Sequence, residues 1–155
     1  MINKIESFYL NLKYGIKNTI KWFTIIWNLR YWDYSYIYQI LRFYLENMEY
    51  HMKNYNMMRH PEKVTKNITI AKNLAKRLEE GNYTSNAIIP IEKKYGMTEP
   101  EFIKIDSMTY KFVNCRSLSE EEAMQRAYIH SDYMEKQDRE MLFNILNKHI
   151  NSWWD

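Results

Sequence analysis

Cysteine is almost missing from this chain. The single Cys115 excludes an internal disulfide and a Cys-rich zinc site, and it fits a reducing compartment. Glycine is nearly as scarce: Gly15, Gly81 and Gly96 are the full set. Loops that cradle phosphate need glycine for close backbone approach, so the common nucleotide-enzyme architectures are disfavoured. No stretch reaches the ~20 apolar residues that a transmembrane helix requires. The longest apolar cluster, 22–29, is broken by Thr24 and Asn28. Nor does the N-terminus show a compact apolar core ending in small residues, so no cleaved signal peptide is expected. These absences describe a soluble protein of the cytosol.

What the chain has in excess is aromatic surface. Its 155 residues include 14 Tyr, 5 Trp and 6 Phe. The hydrophobic share of 46% and the charged share of 26% suit one globular domain. The net charge of +3 is unevenly spread. Residues 1–80 carry 13 Lys/Arg against 7 Asp/Glu, and residues 81–155 carry 9 against 12. Such asymmetry marks either an anionic partner on the first half or two halves that pair with each other.

Apolar periodicity predicts a mainly α fold: a helical bundle with a long C-terminal helix and one short β-hairpin, in a single domain spanning 1–155. Ile5, Phe8, Leu12, Ile16, Ile20, Phe23 and Trp27 recur at spacings of three and four and define a first helix over 4–28. Asp33 is placed to cap a second helix, which runs to about residue 55 on Tyr34, Ile37, Leu41, Tyr44 and Met48. Few residues join the two, so an antiparallel hairpin follows. Pro61 opens a third helix and Gly81 stops it.

Residues 82–118 are rich in turn formers and read as an irregular, least stable segment. Within it, 102–105 and 108–113 are suited to a hairpin turning at Asp106-Ser107. The last helix begins at overlapping capping boxes, Ser117/Glu120 and Ser119/Glu122, and continues to Trp154. Its stretch 131–140 is polar almost all round and is expected to project into solvent or bend. Three apolar stripes, on helix one, helix two and the end of the last helix, are expected to build the core. The basic first helix would then pack in the bundle and not lie on membranes.

A search for chemistry returns little. No two of His51, His60, His130 and His149 lie at the i, i+4 spacing of a helical metal pair. Cys115 lacks an identifiable base. The Glu120-Glu121-Glu122 run suits a helix N-terminus. No Walker loop, Gly-x-Ser-x-Gly or kinase signature occurs. The expectation is a protein that is not an enzyme and carries no cofactor and no metal.

Two aromatic-polar clusters stand out. Arg30, Trp32, Asp33 and Tyr34 lie at the turn between helices one and two, and Lys148, His149, Trp153 and Trp154 lie at the C-terminus. If the clusters meet at one end of the bundle, the rings form an apolar wall and Arg30 a fixed cation, which suits a flat anionic ligand. The competing reading is structural. In it the tryptophans close over the first hairpin, Asp33 caps helix two, and Arg30 pairs with Asp155 or the terminal carboxylate.

At these clusters the chain resembles small tailed-phage proteins of unassigned function. The matching residues are Ile26, Trp27, Arg30, Trp32 and Asp33, in the pattern Ile-Trp-x-x-Arg-x-Trp-Asp, followed by a Tyr-rich helix. A tail of Lys148, His149, Trp153, Trp154 and Asp155 completes the match. The resemblance covers the first ~55 and last ~20 residues and implies origin, not activity: a small phage protein in the host cell cytosol. The functional expectation is sequestration of a small phosphorylated or nucleotide-like ligand, with counter-defence as one such role. The alternative is an inhibitor or adaptor that binds a host protein or nucleic acid through the basic aromatic first half. A membrane-surface role for the first helix is a third class, and a homo-oligomer is left open.

Overall fold

The computed structural model describes residues 4–28, 30, 32–54, 61–96, 101–113 and 116–153. In chain order these form α1 (Lys4–Trp27), α2 (Ser35–Asn54), α3 (Pro61–Glu80), α4 (Tyr83–Tyr95), β1 (Glu101–Lys104), β2 (Tyr110–Val113) and α5 (Leu118–His149). A 3₁₀ turn over Ile150–Trp153 closes the described chain.

The core is built where α2, α3 and the end of α5 converge. Tyr38, Leu45, Met48 and Met52 of α2 repeat at seven, three and four residues, one face of a helix. They meet Ile68, Ala71, Leu74, Ala75 and Leu78 of α3, with Leu142 and Trp153 closing the far side. Ala71 and Ala75 are fully buried in this cluster. Polar clasps border this seam. Arg42 of α2 donates through Nε and Nη2, one edge of its guanidinium, to both carboxylate oxygens of Glu79 of α3, and through Nη1 to Glu46 at 3.0 Å. Glu49 of α2 is buried and accepts from Lys72 at 2.6 Å, Thr69 at 2.6 Å and Lys53 at 2.7 Å.

The expected third member of the core is replaced. Helix one was to supply it, but the structure uses α3. The stripe of α1 is exposed throughout, Ile20 at 69% and Ile16 and Phe23 at half or more. The physical reason lies in α2: its apolar face is already covered by α3. What α1 offers α2 is its other side, with Trp22 set edge-on against Phe43 at 4.7 Å, Lys21 donating to Asn47 at 3.2 Å, and Ile25 buried.

Two further expectations are corrected. Residues 83–95, read as irregular, form α4 despite Pro90 inside it. Proline in a helix interior removes a backbone donor. Here it sits on the exposed side, while Tyr83, Ala87, Ile88, Ile91 and Tyr95 make a half-buried row, and α4 packs on α5. Likewise the polar stretch 131–140 does not project into solvent: Ser131 and Asp138 within it are buried. The helix runs unbroken from Leu118 to His149, with Met124, Ala127, Ser131, Asp138 and Leu142 buried along one stripe. Ser131 and Asp138 continue the apolar spacing with polar members, and Thr84 and Arg77 receive them.

The hairpin forms as expected, antiparallel, with Phe102 opposite Phe112 and Lys104 opposite Tyr110. Its turn has no glycine. Instead the Asp106 carboxylate accepts from the Met108 and Thr109 amides at 2.9 and 2.8 Å, an Asx-type closure. Ser117 caps α5 by accepting from the Glu120 amide at 3.3 Å. Gly81 ends α3 at φ +59°, in the left-handed region that glycine enters without strain.

Candidate functional site: the first helix and the turn that follows it

Each turn of α1 adds a residue to one apolar line. Ile5, Phe8, Leu12, Ile16, Ile20, Phe23 and Trp27 fall within an arc of about 120° at 3.6 residues per turn, and all are exposed. Trp22 and Ile25 lie on the opposite side, toward α2. The line therefore points away from the body of the protein. Before Trp22, every described residue of α1 is exposed, so this part of the helix stands clear of the bundle. Helix propensity and backbone hydrogen bonds alone maintain such a segment poorly. An apolar face of this length is unusual on a monomer surface.

Charge is distributed around that line. Lys13 and Lys17 border it on one side and Lys4 on the other, with Lys21 further back, and Glu6 is the one acidic residue of the helix. All four lysines are exposed. Lysine stems can lie along apolar surface while their ammonium groups stay in a polar layer.

Where α1 leans on α2, a cleft of about 440 Å³ opens between Asn18, Lys21, Trp22, Phe43, Asn47 and His51. Its walls are aromatic, its rim carries a lysine and a histidine, and two amides supply hydrogen bonds. That volume and lining are in the range of small-molecule sites. Sequence reading did not find this cleft. Its signal, Trp22 and Lys21 on the side of α1 away from the apolar stripe, has meaning only once α2 is known to lie there.

The residues singled out in the sequence separate. Arg30 is exposed, and its Nη1 donates to the Asn28 carbonyl at 3.2 Å. Trp32 is 83% exposed. The Asp33 carboxylate accepts from the Ser35 amide at 2.9 Å and holds the first turn of α2. Hydrogen bonds from the Ser35 hydroxyl and amide keep that carboxyl below the usual range. Tyr34 meets Tyr38 edge-on at 6.3 Å, and Tyr38 belongs to the same core cluster as Trp153.

Trp153 is a core side chain, 1% exposed, and its indole N–H has no hydrogen-bond partner. Lys148 and His149 border a shallow groove along α5 with Gln137, Met141 and Asn144. Trp154 and Asp155 lie outside the described residues, as do His60 and Cys115. Tyr38 and Trp153 belong to one core cluster, while Arg30 and Trp32 stay at the surface. Among the described residues, no three His, Cys, Asp or Glu side chains gather as metal ligands. No family model, no curated protein and no solved structure matches the chain.

Proposed function

We propose that this chain is a non-enzymatic binding protein that works through its basic, aromatic first half, as an adaptor or inhibitor that docks on a partner by α1. One observation carries the reading: a 24-residue helix keeps its whole apolar stripe in solvent while α2, α3 and α5 complete a core without it. Each exposed Ile, Leu or Phe forgoes roughly 1.5–3 kcal/mol of burial, a cost that a partner covering the stripe removes. The resemblance to small tailed-phage proteins makes a host component, including one of an antiviral pathway, the first partner to test. A photo-crosslinking residue at position 16 tests the reading in cells, with position 73 on the exposed side of α3 as the control. Adducts at 16 and none at 73 are expected; equal yields at both would remove the support.

A second reading rests on the α1/α2 cleft. Trp22 and Phe43 offer aromatic faces, Lys21 offers a cation and His51 a hydrogen-bonding imidazole, the combination that suits a small phosphorylated, nucleotide-like ligand. In this reading the ligand is held at the cleft and not at the Arg30/Trp153 pair of clusters. Calorimetric titration with mononucleotides tests it. Binding that is lost in Lys21→Ala and in Trp22→Ala, with unchanged melting, supports it, and no heat from any mononucleotide ends it.

A further inference from the structure

We infer that the occupant of the α1 face is an anionic phospholipid membrane, on which the helix lies in the plane of the headgroups. The inference rests on the reading of α1 as the docking surface. Three features favour lipid over other occupants. The stripe runs the length of the 24-residue helix, ~36 Å at 1.5 Å per residue, and it lies on the side of α1 away from the Trp22 and Ile25 contact with α2. A flat surface can therefore reach all of it at once.

The lysines are arranged for an anionic layer. Lys13 and Lys17 on one flank and Lys4 on the other can extend to phosphates while Ile, Leu and Phe enter the acyl boundary. The end of the helix and the turn expose Trp27 and Trp32 at 71% and 83%, and indoles favour the membrane–water boundary. The helix does not cross: among the described residues none is long and apolar enough to span a bilayer.

The same charges argue against a second copy. In the antiparallel pairing of two α1 stripes, Lys13 and Lys17 of one chain would lie beside those of the other. Glu6 is the one acidic residue of the helix available to offset them. They also argue against nucleic acid, because a phosphate-tracking surface needs its cations central, and here the centre of the face is Ile, Leu and Phe.

Vesicle flotation with the full-length chain tests the inference. Vesicles of phosphatidylglycerol mixed with phosphatidylcholine are compared with phosphatidylcholine alone, near physiological salt. Flotation with the anionic vesicles, at least tenfold weaker on the neutral ones, is expected. Ile16→Asp/Ile20→Asp should abolish it with melting unchanged, and Lys13→Glu/Lys17→Glu should weaken it at least tenfold. Equal binding to both vesicle types, or variants that bind as the parent does, overturns the inference.

Two outcomes separate its failure from that of the parent reading. If no vesicle is bound, yet Ile16→Asp/Ile20→Asp disperses a dimer or removes a protein adduct from position 16, the lipid assignment falls and α1 remains the docking surface. If the chain binds no vesicle and that variant changes neither its mass in solution nor its crosslinking, both fall.

Discussion

Arg77 of α3 and Asp138 of α5 form an ion pair about two-thirds of the way along the longest helix, and the Tyr83 hydroxyl donates to the second oxygen of the same carboxylate at 2.7 Å. Asp138 is 3% exposed, whereas more than half of the Arg77 side chain is exposed. One carboxylate thus ties together α3, the first turn of α4 and α5. Burial and the Asp138 carboxylate together push the Tyr83 phenol well above its ordinary range, so it stays a donor.

The unequal exposure gives the pair an asymmetric response. Arg77→Ala leaves a buried carboxylate with one neutral donor and is expected to cost about 2–3 kcal/mol. Asp138→Ala leaves a largely solvated guanidinium and should cost less. In urea denaturation the double variant should be milder than the sum of the two. Additivity within about 0.5 kcal/mol would mean that the residues act independently.

Acid should weaken the α2–α3 seam through Glu49. Burial alone would raise this carboxyl, but hydrogen bonds from Lys53, Lys72 and Thr69 outweigh it and hold the group at about 2. A folded-state value below the unfolded one adds stability that is fully present above the unfolded value near 4.5. That stability is lost as pH falls toward 2. Melting followed between pH 5 and pH 2.5 should show this decline in the parent chain and a shallower one in Glu49→Gln.

Two isoleucines at helical positions should behave in opposite ways. Ile20→Asp places its charge in water and should alter stability by no more than about 0.5 kcal/mol. Ile68→Asp buries an unpaired carboxylate in the α2–α3 core and should abolish folding. Circular dichroism melting of both variants decides the matter. A large loss from Ile20→Asp would restore α1 to the core.

The two clusters singled out by composition should separate on mutation. Trp153→Ala empties the far wall of the core and is expected to cost about 3–5 kcal/mol. Arg30→Ala removes an exposed side chain bonded to a neighbouring carbonyl and should leave the melting temperature within a few degrees. Unfolding of Arg30→Ala as severe as that of Trp153→Ala would make the turn structural.

Local signals carried much of this fold. Pro61 and Gly81 bracket α3 because their backbone preferences act regardless of what lies nearby. Ser117 caps α5, and Asp106-Ser107 turns the hairpin, through hydrogen bonds made within a few residues. The stripe at the end of α5 is legible from helical spacing, but on α2 spacing misplaces the face: Tyr34, Ile37 and Tyr44 of the expected stripe are exposed, and the buried face is Tyr38, Leu45, Met48 and Met52. Position 90 misled: proline counts against a helix locally, yet α4 packs along α5 around it. Ser131 and Asp138 misled in the opposite way, since polar residues read as solvated until Arg77, Tyr83 and Thr84 are seen opposite them.

What the sequence determined by itself is therefore four of the helices (α1, α2, α3 and α5), the hairpin and the existence of apolar stripes, because each depends on neighbours within a turn or two. Which stripes meet was decided by tertiary structure alone. Spacing makes the faces of α1 and α3 equally good partners for α2, and the fold seats α3 there while the α1 stripe stays exposed. That choice buries Trp153, which composition had marked as a ligand wall, and leaves the isoleucines of α1, which periodicity had marked as core, facing outward.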